Sequence, residues 1–113
     1  MDWIQLTSED QIAEIKHKSN TKPQVIFKHS IRCGISSMAL SRLERTYTPM
    51  NADFYFLDIL SYRNISNKVA ADFDVYHESP QVLVISNEKC VYDESHSGIN
   101  MDDIEDQAKV HYS

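Results

Sequence analysis

Short apolar runs and longer amphipathic stretches alternate along the chain. Residues 24–28, 53–58 and 81–86 are dominated by aliphatic and aromatic side chains. Continuous runs of this length predict strands that are buried on both faces of a sheet. The intervening stretches carry apolar residues three or four positions apart, which is the spacing of a helix with one buried face. The pattern therefore predicts alternating strands and helices.

Four stretches carry the helical spacing, and each is bounded by residues that start or stop helices. The third begins near Asn64 or Ser66, either of which offers an N-cap. The apolar residues that recur at this spacing in the second helix are Ile35, Met38, Ala39, Leu43 and Tyr47. The predicted helices cover about 9–18, 33–47, 65–73 and the residues after Asn100.

The predicted elements follow the order strand, helix, strand, helix, strand, helix, strand, strand, helix. The first strand is short, at 3–6, and the last two strands join through a hairpin turn at 87–89. A β-α-β half followed by a β-β-α half around one mixed sheet is the layout of the thioredoxin-like fold. We therefore expect an α/β protein, with a central mixed sheet of four to five strands flanked by helices, and a single thioredoxin-like domain over 1–113.

Charge and composition narrow the classes of partner. The formal net charge is −6, and binding to phosphates needs a basic face, so we expect no nucleic-acid partner. No apolar run approaches the roughly 20 residues of a membrane span, so no membrane partner is expected. The first residues lack the basic and apolar regions of a signal peptide. These features together predict a cytoplasmic protein.

The two cysteines, Cys33 and Cys90, are too few for a disulfide framework or a zinc site, and no metal is expected. Cys33 lies at the predicted junction between a strand and the helix that follows it. The first N–H groups of a helix have no partner within it, and together with the helix dipole they stabilise a thiolate. Lys28 and Arg32 are expected to add positive charge nearby, which makes Cys33 the predicted nucleophile.

Ser36 completes a C-x-x-S motif, at the position where thioredoxin-type sites often carry a second cysteine. A serine cannot form a disulfide, so the motif predicts a monothiol site. The Ser36 hydroxyl is expected to donate to the Cys33 thiolate. Phe27 stands six residues before Cys33, where thioredoxins keep a buried acid, and this argues for simple thiol exchange. His29 is a candidate for catalytic help from the end of the strand.

Ser79-Pro80 stands immediately before the apolar run 81–86. Proline is tolerated at the first residue of a strand. In thioredoxin-like folds this proline is cis and packs beside the active cysteine. The backbone of the residue before it then pairs with an extended thiol substrate. Ser79 and Pro80 are therefore predicted to bind substrate.

With these residues in place, the chain resembles the monothiol bacilliredoxins, a YtxJ-like family. The resemblance implies an enzyme that removes bacillithiol from mixed disulfides on S-thiolated client proteins. It implies no tightly bound cofactor, since bacillithiol is the exchanging low-molecular-weight thiol. The matching stretches are Phe27-Lys28-His29-Ser30, Cys33-Gly34-Ile35-Ser36, Glu78-Ser79-Pro80-Gln81-Val82-Leu83-Val84-Ile85 and Ser95-His96.

Gly34 is where the chain departs from the family, which usually has proline after its cysteine. Glycine keeps an N–H that proline lacks, but it loosens the backbone. Arg32, Gly34 and His96 join Ser79 and Pro80 as predicted substrate-binding residues. His96 precedes the last helix, near where related folds hold part of a thiol cofactor.

Two other functions remain open at this point. Gly34 and Ser36 are compatible with a thioredoxin-fold adaptor that has little redox activity. An arsenate-reductase-like thiol enzyme is the third reading, although the chain lacks a basic cluster after the cysteine. Cys90 is predicted to be a structural thiol at the far end of the sheet. No role is assigned to the remaining histidines, His17, His77 and His111.

Overall fold

A computed structural model describes residues 1–110 of the protein. None of the helices in this part of the chain is long and apolar enough to cross a lipid bilayer. A one-turn 3-10 helix, His96–Gly98, precedes the last α-helix. The strands are β1 (Ile4–Gln5), β2 (Gln24–His29), β3 (Asp53–Asp58), β4 (Gln81–Ser86) and β5 (Lys89–Ser95), and the helices are α1 (Glu9–Lys18), α2 (Gly34–Thr46), α3 (Arg63–Asp72) and α4 (Met101–Val110).

The five strands form one mixed sheet in the order β1-β3-β2-β4-β5. Strands β1, β3 and β2 run parallel. Strand β4 runs antiparallel to β2, and β5 runs antiparallel to β4. This is the mixed, helix-flanked sheet that the order of elements predicts. Strands β2 and β4 lie in the interior of the sheet, which explains why every residue of both is buried.

Two hydrophobic clusters cover the two faces of the sheet. Successive side chains of β2 point to opposite faces. Phe27 packs on one face with Leu43 of α2 and Ile104 of α4. Ile26 packs on the other face with residues of α1 and α3, among them Ile15. Truncating a fully buried phenylalanine to alanine typically costs about 3–5 kcal/mol, so this strand anchors both halves of the core.

Helix α3 begins earlier than the sequence pattern predicts. Its first residue is Arg63 and its N-cap is Tyr62, so neither Asn64 nor Ser66 caps it. Ser66 is instead buried within the helix. The prediction was wrong because residue type alone does not determine the cap: Ser66 lies on the buried face of α3.

The peptide bond between Ser79 and Pro80 is cis, which confirms the expectation for this segment. Strand β4 begins at the next residue, Gln81. The Cα partner of Gln81 on β2 is Lys28. Pro80 therefore lies at the end of β2 that leads to Cys33.

Candidate thiol site

Cys33 is the N-cap residue of α2, with extended backbone angles of φ −108° and ψ 115°. Its N–H donates to the carbonyl oxygen of Ser30 at 3.1 Å, and its own carbonyl accepts from the N–H of Ser37 at 3.1 Å. The thiol is partly exposed. The first N–H groups of α2 lack helical partners, but the side chain of Cys33 makes no capping hydrogen bond to them in this structure.

Ser36 has different hydrogen-bond partners from those the sequence predicts. Its side chain is fully buried. Its Oγ accepts from the N–H of Ser30 at 3.1 Å and lies 2.7 Å from Nδ1 of His29. Within the described chain it makes no hydrogen bond to Cys33. The physical reason is direction: Ser36 occupies the inward-facing stripe of α2, so its hydroxyl meets the end of β2.

His29 is buried between two aromatic rings. The Phe56 and Phe27 rings lie 5.2 Å and 5.8 Å from its ring, centroid to centroid. Burial lowers the pKa of His29, while the Asp58 carboxylate and the contact with Ser36 oppose that shift. The neutral imidazole is therefore the favoured form at neutral pH, and its Nδ1 faces the Ser36 hydroxyl.

Lys28 does not add charge beside Cys33, contrary to the prediction. Its side chain is fully buried on the opposite face of the sheet from His29, as the alternation of a strand requires. Its Nζ donates to the carbonyl of Ser66 at 3.4 Å and lies 3.2 Å from Nδ1 of His77. Burial lowers the pKa of Lys28 to about 8.

His77 is the second residue of this contact, which is only partly buried. Its Nδ1 also lies 3.3 Å from the Ser66 hydroxyl. Desolvation, with Lys28 as the next cause, lowers the pKa of His77. Local sequence pattern predicts no role for His77, because its contact with Lys28 spans 49 positions. A lysine that closes an apolar strand run is the one sequence signal for such a distant partner.

The segment around cis Pro80 is tied to the end of β5. The N–H of His96 donates to the carbonyl of Pro80 at 3.1 Å. His96 Nε2 lies 3.6 Å from a carboxylate oxygen of Glu78. The hydroxyl of Ser79 is buried, and it has no hydrogen-bond partner among residues 1–110. These contacts bring Ser79, Pro80 and His96 together at one end of the sheet.

An open pocket of about 230 Å³ lies between α2 and the 3-10 helix. Arg42 forms part of its wall and is held there, because its Nε and Nη2 donate to the carbonyl of Ile99 at 3.0 Å and 2.7 Å. The pocket joins the predicted site residue His96 to the exposed face of the cysteine helix. Its lining residues are Ile35, Met38, Arg42, His96 and Ser97.

Ile35 and Met38 are exposed, by 55% and 68% of their surface, and do not face the core. The inward stripe of α2 runs through Ser36, Ala39 and Leu43. Ile35, Met38 and Arg42 have the same spacing displaced by one residue, so they form a neighbouring stripe on the helix surface. This second stripe is the sequence signal for the pocket, although its apolar residues have the same period as those of the core.

Arg32 and Gly34 flank Cys33 on the exposed surface. A Cβ added to Gly34 would meet no atom within 4 Å. Its backbone is not in the left-handed region, so neither packing nor conformation requires glycine here. Ile31 is also exposed, by 68%, and the thiol therefore has apolar surface beside it.

Cys90 lies at the other end of the sheet. Its Cα partner is Ile85 on β4, and the partner of Ile85 on β2 is Gln24. Strand β2 then runs five residues further before it leads to Cys33, about 16 Å at 3.3 Å per residue. Disulfide formation needs Cα atoms within about 7 Å. Burial raises the pKa of the Cys90 thiol to about 11, and its Sγ donates to the carbonyl of Tyr92 at 3.3 Å.

The other histidines lie away from this site. His17 is exposed near the end of α1, and His111 lies outside the described residues. The part of the chain described here contains no cluster of three or more histidine, cysteine or acidic side chains that could hold a metal ion.

Comparison with known proteins identifies both the fold and a family. The family model described as monothiol bacilliredoxin BrxC matches residues 4–104. A solved structure provisionally described as an oxidoreductase with a thioredoxin fold is 29% identical, with a TM-score of 0.76 over 92% of this chain and 91% of that one. The thioredoxin of Malassezia sympodialis is 17% identical, with a TM-score of 0.74 over 99% of this chain and 92% of that one.

A mutant thioredoxin from Halobacterium salinarum is 10% identical, with a TM-score of 0.74 over 99% of this chain and 92% of its own. At these identities the two thioredoxins are evidence for the fold alone. Together with the sheet order, they confirm the α/β thioredoxin-like fold that the sequence predicts.

Proposed function

The chain belongs to the monothiol bacilliredoxin family, and we propose that it removes bacillithiol, or a similar low-molecular-weight thiol, from mixed disulfides on cytosolic proteins. Its family and fold make it a thiol–disulfide oxidoreductase. The observation that carries the finer proposal is the position of Cys33. The thiol is partly exposed at the N-terminus of α2, at the end of the sheet where cis Pro80 also lies.

In the first step, the Cys33 thiolate attacks the bacillithiol sulfur of a modified client. A new disulfide forms between Cys33 and bacillithiol, while the client–bacillithiol disulfide breaks. The client leaves as a thiolate and takes a proton from water. One disulfide replaces another, so this step needs no external oxidant or reductant.

In the second step, an external thiol must discharge Cys33. A second bacillithiol attacks the bacillithiol sulfur, which releases oxidised bacillithiol and restores the Cys33 thiolate. Ser36 has no sulfur with which to resolve the adduct. Cys90 is too far along the sheet to do so. The register supports the prediction that Cys90 is a structural thiol.

The predicted substrate-binding residues divide between the two parts of the mixed disulfide. The backbone at Ser79 and Pro80 is proposed to pair with the extended client chain, in the manner of an added strand. Arg32 and Gly34 flank the exchanging sulfur. His96 is proposed to contact the bacillithiol moiety, because it lines the pocket beside α2.

The remaining expectations belong to this proposal. The partners are S-thiolated clients and a small thiol, with no nucleic acid and no membrane, which agrees with the net charge of −6. No tightly bound cofactor is required by thiol exchange. A cytoplasmic location is proposed because a reducing compartment keeps Cys33 and Cys90 as thiols between turnovers.

Intact-mass measurement tests the proposal. The protein is incubated with oxidised bacillithiol, and transfer from a bacillithiolated client is then followed by the masses of both proteins. We expect one bacillithiol adduct per chain and recovery of the unmodified client. Cys33→Ser abolishes both results. Cys90→Ser, the matched control, retains both.

Two outcomes would overturn the proposal. Absence of an adduct on Cys33 near neutral pH would favour the adaptor with little redox activity. An adduct that passes to Cys90, seen as a disulfide between Cys33 and Cys90 in the native monomer, would contradict the monothiol mechanism.

A further inference from the structure

Arg42 is a cation in the wall of the pocket beside the cysteine helix, and the exchange reaction as described makes no use of it. We propose that Arg42 binds a carboxylate that the small thiol carries at the end remote from its sulfur. Among low-molecular-weight thiols, the protein would then prefer those with such an anionic group. The inference rests on the proposed function, because the small thiol must be joined to Cys33.

Arg42 is held in place but is not neutralised. Its Nε and Nη2 donate to the carbonyl of Ile99, which is an uncharged acceptor. A guanidinium has five N–H donors, and the remaining ones make no hydrogen bond within residues 1–110. No ion pair in this part of the chain includes Arg42, although acidic side chains outnumber basic ones by 17 to 11. A positioned arginine with unused donors can bind a carboxylate without first losing an acidic partner.

The polarity of the pocket changes along α2. Ile35 and Met38, which follow Cys33 by two and five residues, give the pocket an apolar wall. Arg42 follows Ile35 by seven residues, which is about 10 Å along the helix axis at 1.5 Å per residue. The pocket therefore offers apolar contact in the first turns of the helix and a cation farther on. This order fits a thiol whose uncharged middle covers Ile35 and Met38 while its far end meets Arg42.

The opposite wall of the pocket is formed by the 3-10 helix. His96 and Ser97 line this side, and the N–H of His96 donates to the carbonyl of Pro80. The Glu78 carboxylate on this side lies 3.6 Å from His96, and it makes no ion pair with Arg42. A volume of about 230 Å³ suits part of a small molecule rather than a second protein chain. We therefore assign the carboxylate to the small thiol, and the client chain to the backbone before Pro80.

Two disulfide probes that differ only at their far end test the inference. Each is the 2-pyridyl disulfide of a ten-carbon alkyl thiol, which spans about 12 Å when extended, and ends in a carboxylate or in a primary amide. The Cys33 thiolate attacks the alkyl sulfur, so an alkyl–Cys33 disulfide forms and the alkyl–pyridyl disulfide breaks. The released pyridine-2-thiolate takes a proton from water and is followed by its absorbance. The Cys90→Ser background leaves Cys33 as the single thiol.

We expect the parent to react about fivefold faster with the carboxylate probe than with the amide probe, in line with one partly exposed ion pair. Arg42→Gln should abolish this preference, because the new side chain can donate to Ile99 but carries no charge. Arg45→Gln is the matched control, since Arg45 is exposed one turn further along α2 and lies outside the pocket. It should keep the full preference. With three-carbon probes, which are too short to reach Arg42, the ratio of the two rates should be the same in the parent and in Arg42→Gln.

Equal rates for the two long probes in the parent, or a preference that survives Arg42→Gln, would overturn the inference. Equal losses in Arg42→Gln and Arg45→Gln would also overturn it, since the preference would then follow net charge rather than a contact. Each of these results still includes an adduct on Cys33, so the proposed function can hold while the inference fails. Absence of an adduct with either probe would instead contradict the proposed function, and the inference would fall with it.

NMR of the arginine side chains keeps the inference testable if Arg42→Gln folds poorly. The Cys90→Ser protein is joined at Cys33 to the long carboxylate probe or to the long amide probe, and the guanidinium N–H signals of the two adducts are compared. We expect the signals of Arg42 to differ between the adducts and those of Arg45 to be the same. Arg42 signals that are identical in the two adducts would overturn the proposal.

Discussion

Lys28 and His29 are neighbours on β2, but their side chains project from opposite faces of the sheet. They contact different parts of the candidate site. His29 contacts Ser36 at the start of the cysteine helix. Lys28 contacts His77 in the segment that leads to cis Pro80. Two adjacent residues of β2 therefore contact both the start of the helix that follows Cys33 and the segment before β4. The two predicted binding elements are linked through the backbone of β2.

Replacing Lys28 tests how much its buried charge lowers the free energy of unfolding. The pKa of Lys28 is lowered from 10.5 to about 8, so between these values the unfolded chain binds more protons than the folded one. Stability therefore rises with pH across this window and is lost as pH falls through about 8. For Lys28→Met, we expect the stability advantage over the parent to be largest below pH 8. It should shrink by roughly 3 kcal/mol toward pH 10.5.

Denaturant unfolding at several pH values measures this difference. Lys89→Met, at an exposed position of β5, is the matched control, and its stability difference from the parent should not change with pH. The pKa of Cys90 is raised to about 11, so this thiol makes stability fall above about pH 9. The parent and the variants share this effect, and it cancels when their stabilities are subtracted. If the stability difference between Lys28→Met and the parent did not change with pH, burying the charged amine of Lys28 would not destabilise the fold.

Gly34 is expected to tolerate both alanine and proline. It is the first residue of α2, where proline is favoured, and Cys33 has the extended conformation that a following proline requires. Either substitution should raise the free energy of unfolding by about 0.4–1 kcal/mol, because both restrict the unfolded chain. Gly34→Ala keeps the N–H, so it is the control for Gly34→Pro.

The same pair of variants tests the contribution of the Gly34 N–H to the thiolate. We expect Gly34→Pro to slow alkylation of Cys33 about fivefold relative to Gly34→Ala, in line with a net hydrogen bond of about 1 kcal/mol. Equal alkylation rates in the two variants would show that the other N–H groups of the first turn are sufficient.

The substitution His96→Asn removes the ring of His96 and keeps its backbone conformation. His96 has a φ of 55°, a left-handed value that asparagine adopts readily. We expect the melting temperature to stay within a few degrees of the parent, while the KM for a bacillithiolated client rises about two- to tenfold, as the loss of one polar contact implies. His17→Asn, on the exposed surface of α1, should leave both values unchanged. An unaltered KM in His96→Asn would contradict the prediction that His96 binds substrate.

The sequence was sufficient for those features that depend on local pattern. Continuous apolar runs located β2, β3 and β4, and the position of Pro80 before such a run led to the cis bond that the structure contains. Lys28 shows what local pattern misses. Local pattern predicts that Lys28 adds positive charge near Cys33, whereas its side chain is buried against partners 38 and 49 positions away.

The surface of α2 shows a second limit. Apolar spacing alone placed Ile35 and Met38 with the core residues of the helix. In the structure, Ser36 lies on the inward face of α2 instead. Its hydroxyl contacts the N–H of Ser30 and the ring of His29, at the end of β2. A buried polar pair of this kind has no period of its own, so hydropathy cannot reveal it.

The location of Cys90 at the far end of the sheet fixes the kinetic order of discharge under the proposed mechanism. A resolving cysteine within reach would release bacillithiol in a first-order step, independent of the surroundings. Without one, release is second order, and its rate is proportional to the concentration of free small thiol. The fraction of protein that stays loaded would then report on the thiol pool. When that pool is depleted, the protein would act as a store of bacillithiol adducts.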